Sequence, residues 1–471
     1  MTDRDAIRHR LSPLLTPRSI AFVGASTKPK SVGNDMIKEA LKGGFAGEIY
    51  PVNPKYDAVE GIKCYPALAD LPGPVDHVVL GVGNAHLEAQ LAEAAAHGAR
   101  AATIFASCYL EGDSDPPLTE RLARIARDAG MQICGGNCVG FYNFDAHTSV
   151  SMAPGGGHGE PGSITLISHS GSLLWPLVDC ETRLSYNLVV SSGQELATTA
   201  ADYLDYALDL DTTRVVAMFL ETARDPKGFL AGLEKARVRD VPVVVLKVGR
   251  TEESAALAVT HSGAIAGNDA AYQAAFDRFG VIRVGDVEEL AVTLMLLSAE
   301  RRVASGDLAA ILDSGGFREL LIDMADDARV PLAKISAETQ ARLAARLEPG
   351  LEPINPLDAW GTRRDYEETF TECLSALMGD PGTALGLFVV DRNRDGRLGR
   401  DYGRICETVA ARTSKPIAIV THHQGTAGDP LDVTLARAGI PVIDGMEQAL
   451  RAIRHAFDDR DFRARPPAPA P

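Results

Sequence analysis

Short runs of β-branched and aliphatic residues alternate with amphipathic stretches along most of the chain. In the first third, apolar runs such as residues 18–24 (RSIAFVG) and 101–107 (AATIFAS) alternate with helical patterns such as residues 118–130 (LTERLARIARDAG). Strands inside a parallel sheet are apolar on both faces, whereas the helices that cover the sheet are apolar on one face. The alternation therefore predicts an α/β protein built on doubly wound parallel sheets.

The same pattern is repeated twice more after a break. Residues 153–162 (APGGGHGEPG) form a Gly- and Pro-rich linker. A second strand–turn–helix series begins at SITLISHSGSLLWPLVD, and a third begins at DLAAILDSGGFRELLIDMADD, after the linker ERRVASGD. The Ser314-Gly315-Gly316 turn of the third series resembles the Ser170-Gly171 turn of the second, so the two series look like copies of one flavodoxin-like unit. We expect three domains, at residues 12–150, 160–300 and 306–460.

One histidine lies in a segment of small residues between two helical patterns. The run PVVVLKV (residues 242–248) predicts a buried strand, and TEESAALAV after it predicts a short helix. Asn268 or Asp269 then begins a second helix, which ends at Gly280. His261 lies between the two helices in VTHSGAIAGN, where small side chains allow a backbone or a phosphate to approach the imidazole. On spacing alone, an ordinary loop histidine without a role is the alternative.

The first βα turn has the pattern of an anion-binding loop. Gly24, Ser26, Lys28 and Gly33 lie where free N–H groups and a helix N-terminus favour a phosphate, although the loop is not a GxGxxG motif. At the end of the second strand, where an NAD-binding chain would carry an acidic residue, Lys55 offers a cation. These residues favour a phosphate-rich ligand over NAD.

The second series carries a similar pattern. Its turn, Ser168-His169-Ser170-Gly171-Ser172, places backbone N–H groups at a predicted helix start, although a capped helix without a ligand accounts for the same residues. Glu221 ends a predicted strand, at the edge where ligands bind in α/β sheets, and a solvated acid is the alternative there. Glu195 is a weaker candidate for the same environment.

Composition and charge disfavour some classes of partner and favour one cellular location. The 471-residue chain has a formal net charge of −16, which disfavours nucleic acid and anionic membranes as partners. No apolar run has the length of a membrane span, and the first residues lack a signal-peptide core. The 7 dispersed cysteines favour reduced thiols and a cytoplasmic location. Cys134 and Cys138 have no second pair at zinc spacing, so we expect no metal site in this chain.

Several segments resemble the NDP-forming acyl-CoA synthetases, the superfamily of succinyl-CoA ligase. LKVGRTEESAALAVTHSGAIAGNDAAYQAAFDRFGVIRV is similar to the active-site region of that family, and FVGAS, YPVNPKY, GIKCYPAL and GGNCVGFYN are similar to its CoA-binding domain. INPLDAW (residues 354–360) matches the NPxD signature of its third domain. The resemblance implies an N-terminal Rossmann-like CoA-binding domain followed by two flavodoxin-like ligase domains. The chain departs from the family at residues 135–138, which read GGNC instead of GPNC, and near Val82-Gly83, where relatives carry Val-Pro.

The resemblance also implies roles for the residues above. His261 would be a nucleophile that is transiently phosphorylated, and Glu221 would hydrogen-bond its imidazole. His169 stands where many relatives have Gln or Arg. The phosphoryl group would be stabilised by Ser170, Gly171, Ser172 and Gly263. CoA would contact Gly24, Ser26, Lys28, Gly33 and Lys55 through its phosphates, and Asn137 and Cys138 near its thiol end.

The implied reaction joins a small carboxylic acid to CoA at the expense of NTP, through an acyl phosphate. The chain contains no region that resembles an ATP-grasp domain, so we expect Mg-NTP to bind a separate ATP-grasp β subunit, in a hetero-oligomer or with an α dimer. Two other functions stay open from the sequence. One is a non-catalytic CoA-binding or regulatory protein of the same fold, and the other is an NAD-dependent dehydrogenase. Binding assays with CoA and NADH separate these alternatives.

Overall fold

The chain forms two compact units. The computed structural model describes residues 9–155, 159–254, 268–362, 365–391, 397–422 and 429–465. The first unit comprises Met1–Cys180 and Ser185–Arg283, and the second comprises Glu181–Leu184 and Val284–Pro471. Both units consist of largely parallel sheets covered by helices, which confirms the predicted α/β fold class.

The first unit begins with a parallel sheet. Its strands are β1 (Ser19–Val23), β2 (Glu48–Val52), β5 (His77–Leu80), β6 (Ala101–Ile104) and β7 (Gln132–Gly135). Two short strands, β3 (Ala58–Val59) and β4 (Ile62–Lys63), form a separate hairpin. The sheet order is β2-β1-β5-β6-β7, with every pair parallel. Its helices are α1 (Ser12–Leu15), α2 (Val32–Lys42), α3 (Asn84–Ala96) and α4 (Leu118–Asp128). All residues of β1, β5 and β6 are buried, which accounts for their continuous apolar runs.

A second, mixed sheet completes this unit. Its strands are β8 (Gly140–Asn143), β9 (Thr148–Ser151), β10 (Ile164–Ser168), β11 (Tyr186–Ser191), β12 (Val215–Leu220), β13 (Val243–Lys247) and β14 (Ile282–Val284). The order is β14-β13-β12-β10-β11-β8-β9, and the β8–β9 hairpin adds an antiparallel edge to the parallel strands β10 to β13. Its helices are α5 (Ala200–Ala207), α6 (Pro226–Val238) and α7 (Asp269–Phe279).

The second unit contains one parallel sheet. Its strands are β15 (Asp307–Leu312), β16 (Leu357–Asp358), β17 (Thr383–Val389), β18 (Ile417–Thr421) and β19 (Val442–Asp444), in the order β16-β15-β17-β18-β19. Its helices are α8 (Val287–Leu297), α9 (Gly315–Asp327), α10 (Ala337–Arg346), α11 (Tyr366–Gly379), α12 (Arg397–Ala410), α13 (Pro430–Arg437) and α14 (Met446–Arg463). Alternate residues of the strands belong to two separate apolar clusters, so both faces of the sheet are covered.

Local turn chemistry explains two elements near the predicted site. The Asn268 side chain accepts a hydrogen bond from the Ala270 N–H at 2.9 Å, and Gly280 ends α7 with a φ of 70°, so both predicted ends of that helix are confirmed. The helix predicted after the Ser168–Ser172 turn is present, but it is not an α-helix. A 3₁₀ turn (Gly171–Leu173) and a π-helical segment (Trp175–Cys180) occupy its place, and Pro176 within that segment has no N–H to donate to an α-helical ladder.

The aromatic core of the second unit generates a stability prediction. Phe388 is fully buried, with ring centroids 5.2 Å from Phe370 and 5.1 Å from Tyr402. We expect Phe388→Ala to lower the free energy of unfolding of this unit by about 3–5 kcal/mol, because the cavity loses these packing contacts. Urea unfolding, followed by the fluorescence of Trp360, measures this loss of free energy. The experiment uses a Trp175→Phe background, because Trp175 is the other of the chain's 2 tryptophans.

The matched control is Leu320→Ala, because Leu320 lies on α9 with 41% of its surface exposed. Its expected effect is below about 1 kcal/mol. Equal losses in the two variants would contradict the placement of Phe388 in the core.

Candidate functional site

A cavity of 280 Å³ opens within the first unit, beside the turn after β7 and the turns after β10 and β11. His169 lines it together with six of the predicted site residues, namely Asn137, Cys138, Ser170, Gly171, Ser172 and Glu221. Apolar side chains of Phe105, Val139 and Met152 form part of its wall. The predicted CoA-thiol residues and the predicted phosphate residues therefore share one cavity, although they belong to different sheets.

Glycines allow the backbones around this cavity to approach closely. A Cβ atom at Gly193 would lie 2.2 Å from the carbonyl oxygen of Gly136, and one at Gly171 would lie 2.4 Å from Cγ2 of Val139. Gly193 also has a φ of 61°, which favours glycine. The Gln194 N–H donates to the Gly136 carbonyl at 2.8 Å, so the turn after β11 is hydrogen-bonded to the end of β7.

The turn after β10 is held by its own serine. The Ser168 hydroxyl donates to the Ser170 carbonyl at 2.6 Å, and the Ser170 N–H donates to the same hydroxyl oxygen at 3.1 Å. The Ser170 side chain caps no N–H of the 3₁₀ turn that follows. Because that helical turn is short, the N–H groups of Gly171 and Ser172, and not a long helix dipole, are its anion-binding feature.

His169, in this turn, is hydrogen-bonded to the backbone of one glutamate and to the side chain of another. The Glu221 N–H donates to its Nδ1 at 3.0 Å, and its Nε2 lies 2.8 Å from Oε1 of Glu195. A backbone N–H can only donate, so Nδ1 is unprotonated and Nε2 carries the proton that is donated to Glu195. Both ring nitrogens are engaged, so His169 has no ring N–H left to donate to a phosphate.

Glu221 is buried at the end of β12, and its carbonyl oxygen accepts a hydrogen bond from Lys247 Nζ at 2.8 Å. Lys247 also donates to the Val248 carbonyl and lies 4.7 Å from the ring centroid of Tyr272. Desolvation by burial lowers the pKa of Lys247 to about 8. The Tyr272 hydroxyl accepts a hydrogen bond from the Ala223 N–H at 2.7 Å, so α7 is bound to the chain just beyond Glu221.

Cys138 lines the cavity but is a poor nucleophile. Its Sγ donates to the Ile104 carbonyl at 3.4 Å, and the residue is 3% exposed. The neighbouring Cys134 thiol and burial raise the pKa of the Cys138 thiol well above its usual range. Cys138 therefore stays a neutral thiol at neutral pH, whereas Asn137 beside it is exposed and has a φ of 53°.

The first βα turn has the shape of a phosphate-binding loop. A Cβ atom at Gly33 would lie 2.1 Å from the Gly24 carbonyl oxygen, and one at Gly24 would lie 2.5 Å from the Gly81 carbonyl oxygen. The Ser26 hydroxyl accepts the Lys28 N–H at 3.0 Å. The Ser31 side chain gives α2 no cap, so the N–H groups at the start of α2 keep their anion-binding character.

Two cations lie beside this loop. The Ser26 and Thr27 hydroxyls, with smaller contributions from Lys55 and Lys28, lower the pKa of the Tyr56 phenol. The Lys55 N–H donates to the Asn53 side chain at 3.0 Å, and the Asn53 amide donates to the Ala25 carbonyl at 2.7 Å. The end of β2 is thus fixed to the turn after β1, which keeps Lys55 near Ser26.

His261 and Gly263, the remaining predicted site residues, lie outside the described residues. The sequence did not single out Lys247, Tyr272 or the apolar wall of the cavity. In the sequence, Lys247 is the one cation at the end of the apolar run PVVVLKV. This position places it at the edge of the sheet but does not indicate which residue it contacts. Within the described residues, no helix has both the length and the apolar character needed to cross a membrane.

Two parts of the chain match known domain families, and known proteins are similar to most of it. Residues 18–143 match a family described as a CoA binding domain, and residues 161–297 match one described as a succinyl-CoA ligase like flavodoxin domain. The ADP-forming acetate–CoA ligase of Methanocaldococcus jannaschii is 33% identical over 360 residues, which cover 75% of this chain and 49% of that relative. Subunit alpha of the ADP-forming acetate–CoA ligase I of Pyrococcus furiosus is 26% identical over 481 residues, covering 97% of this chain and 99% of the relative.

A solved structure is similar over nearly the whole chain. The dinucleotide-forming acetyl-coenzyme A synthetase 1 of Ca. Korarchaeum cryptofilum, in complex with phosphate and ADP, has a TM-score of 0.85 and 25% identity, covering 96% of this chain and 97% of that one. Several relatives are longer than this chain, which spans 49–66% of three of them. The chain thus contains a CoA-binding domain and a succinyl-CoA ligase-like domain, and its homologues include ADP-forming acetate–CoA ligases.

Proposed function

We propose that this chain is the α-type chain of an NDP-forming acyl-CoA synthetase, which makes acyl-CoA from a carboxylate, CoA and NTP. The observation that carries the proposal is the shared cavity, which Asn137 and Cys138 line together with the Ser170–Ser172 turn and Glu221. A thiol and an acyl phosphate must meet for CoA to be acylated, and this cavity joins a CoA-domain wall to an anion-binding turn.

The proposed chemistry passes through two phosphorylated species. His261 takes the phosphoryl group from NTP and transfers it to the substrate carboxylate, which gives an acyl phosphate. The N–H groups of Gly171 and Ser172 stabilise the phosphoryl oxygens, and Glu221 holds the imidazole in one tautomer. The CoA thiolate then attacks the acyl carbonyl and releases inorganic phosphate. The raised pKa of the Cys138 thiol supports CoA, and not the protein, as the sulfur nucleophile.

CoA would bind along the first sheet. Its phosphates would bind the loop from Gly24 to Gly33, whose two end glycines have no room for a Cβ atom. Lys28 and Lys55 would supply positive charge. Its thiol end would reach Asn137 beside the cavity. A dehydrogenase is disfavoured because Lys55 stands where the ribose of NAD needs a carboxylate. A purely CoA-binding protein would not require the cavity to include Glu221.

The nucleotide site is proposed to lie on a separate ATP-grasp β subunit. This chain spans 99% of a relative that is named as a subunit alpha, and only 49% of the M. jannaschii ligase, whose name gives no subunit. The name of the first of these relatives supports the proposal that the reaction is divided between two polypeptides. The acyl substrate is a small carboxylic acid in this proposal, and Mg-NTP is bound by the partner.

The CoA site is tested with Lys55→Ala. We expect the affinity for CoA to fall about 10- to 100-fold, because one charge-assisted phosphate contact contributes roughly 1.5–3 kcal/mol. Isothermal titration calorimetry measures the affinity. The control is Lys42→Ala, because Lys42 lies at the other end of α2 and pairs with Glu39 at 3.2 Å. Unchanged binding in Lys55→Ala would remove Lys55 from the site.

The division of the reaction is tested by reconstitution. Alone, the purified chain is expected to release no NDP from Mg-ATP or Mg-GTP in the presence of acetate and CoA. Addition of an ATP-grasp β chain of the same family should give NDP release that depends on both CoA and the acid. A coupled assay for NDP measures this. Robust turnover by the single chain would contradict the proposed β subunit, and NDP release independent of CoA would contradict the ligase reaction.

A further inference from the structure

The peptide of Glu221 is held on both sides by buried side chains. Its N–H donates to Nδ1 of His169 at 3.0 Å, and its carbonyl oxygen accepts from Nζ of Lys247 at 2.8 Å. The two contacts come from different strands, since His169 follows β10 and Lys247 ends β13. Neither is a contact of the regular ladder between strands. The backbone at Glu221 is thus fixed by side chains at the point where β12 ends.

The His169 side of this arrangement depends on a defined tautomer. Nδ1 has to be a free acceptor for the Glu221 N–H, and the proton on Nε2 is donated to Oε1 of Glu195 at 2.8 Å. Oε1 of Glu195 also accepts the Ala200 N–H at the start of α5, at 2.8 Å. Oε2 of Glu195 lies 4.0 Å from Nε of Arg224. The buried carboxylate is therefore compensated by a helix start and a guanidinium, without a protonated imidazole.

The Lys247 side connects Glu221 to the chain that carries His261. Lys247 is 2% exposed, and its ammonium group also lies over the ring of Tyr272. The Tyr272 hydroxyl in turn accepts the Ala223 N–H. His261 lies in the sequence between Lys247 and Tyr272, so both residues that border its segment contact the end of β12.

We propose that His169 and Lys247 are positioning residues, which fix the Glu221 peptide so that its carboxylate meets the imidazole of His261. This inference rests on the proposed function. It assigns His169 a role through its two ring hydrogen bonds and not through contact with phosphate. It assigns Lys247 the role of holding the other side of the same peptide, through the Glu221 carbonyl.

The chemistry of these groups favours positioning over simple packing. An ammonium group at 2% exposure is costly to bury, as the lowered pKa of Lys247 shows, and an apolar side chain would fill the space without that cost. The same holds for a histidine and a glutamate that are both buried. What the polar groups add is orientation, because hydrogen bonds fix a peptide plane and apolar contacts do not.

The first test compares two variants of one position. His169→Leu removes both ring hydrogen bonds, whereas His169→Gln keeps one acceptor and one donor in a single side chain. The full-length chain is incubated with acetyl phosphate, and phosphorylation of His261 is followed by intact mass spectrometry at alkaline pH. We expect the rate to fall about 10- to 100-fold in His169→Leu and to stay within a few-fold of wild type in His169→Gln, because a small displacement of an orienting group slows transfer strongly.

A second readout does not depend on catalysis. Hydrogen–deuterium exchange at the Glu221 amide is expected to be slow in wild type and in His169→Gln, and faster in His169→Leu, since only that variant leaves the amide without its acceptor. Thermal unfolding and CoA binding serve as checks of folding. A merely structural role would lower the unfolding temperature of both His169 variants alike and would show no rescue by glutamine.

Lys247→Met tests the other side of the peptide. It keeps an unbranched chain but removes the donor to the Glu221 carbonyl, so we expect the phosphorylation rate to fall about 10-fold or more. The matched control is Lys415→Met, because Lys415 is also partly buried and donates to a backbone carbonyl, that of Asp380, at 2.6 Å in the second unit. The control should leave the rate within about twofold of wild type.

The outcomes separate this inference from the proposed function. A wild-type chain that forms no phosphoryl adduct would refute the proposed function, and amide exchange would then decide the inference alone. Faster exchange in His169→Leu with rescue in His169→Gln supports the anchoring of Glu221, and unchanged exchange overturns it. If His169→Leu does not fold, the comparison of the phosphorylation rates of Lys247→Met and Lys415→Met decides whether the positioning role holds. Wild-type phosphorylation rates in folded His169→Leu and Lys247→Met would overturn the positioning role.

Discussion

The turn after β11 approaches the end of β7 so closely that Gly193 has no room for a side chain. Gly193 and Gly136 meet backbone to backbone, and the Gln194 N–H is hydrogen-bonded across the contact. This close approach brings the Asn137 region of the first sheet next to the Ser170 turn of the second sheet. Without it, Asn137 and the Ser170 turn would not face the same cavity.

A second constraint is electrostatic. The chain has a formal net charge of −16, so its overall field repels phosphate, CoA and a carboxylate substrate alike. The two anion-binding features that we propose are backbone turns, one after β1 and one after β10. Local N–H groups act at short range and are little affected by the net charge, which makes them suitable for this protein. The buried glutamates beside the cavity are compatible with this, because Glu195 is compensated by a helix start and by Arg224.

The sequence predicted the features that depend on local chemistry. Apolar runs predicted β1, β6 and β13, and cap residues predicted both ends of α7. The carboxyl ends of parallel strands meet at one edge of a sheet, and this rule was enough to place Glu221 near the Ser170 turn. The sequence also predicted a helix after that turn but not its type, because the pattern of apolar residues does not reveal a π-helical segment.

Features that depend on contacts between distant segments could not be predicted. His169 and Glu195 are separated by 26 residues, and Lys247 and Glu221 by another 26, so no local pattern links either pair. The tautomer of His169 follows only from its two partners. The apolar wall of the cavity likewise combines Phe105 and Met152 from different parts of the chain. Tertiary contacts, and not residue type, give these side chains their roles.

The most direct test of the account is the covalent state of His261. The chain, its ATP-grasp partner and Mg-ATP are incubated together, and the chain is analysed by intact mass spectrometry at alkaline pH with peptide mapping. We expect a phosphoryl adduct on His261 that is acid-labile and base-stable, as an N–P bond is. The adduct should disappear when carboxylate and CoA are added, and it should be absent from His261→Asn. An adduct of the same mass that persists in His261→Asn would contradict the central claim.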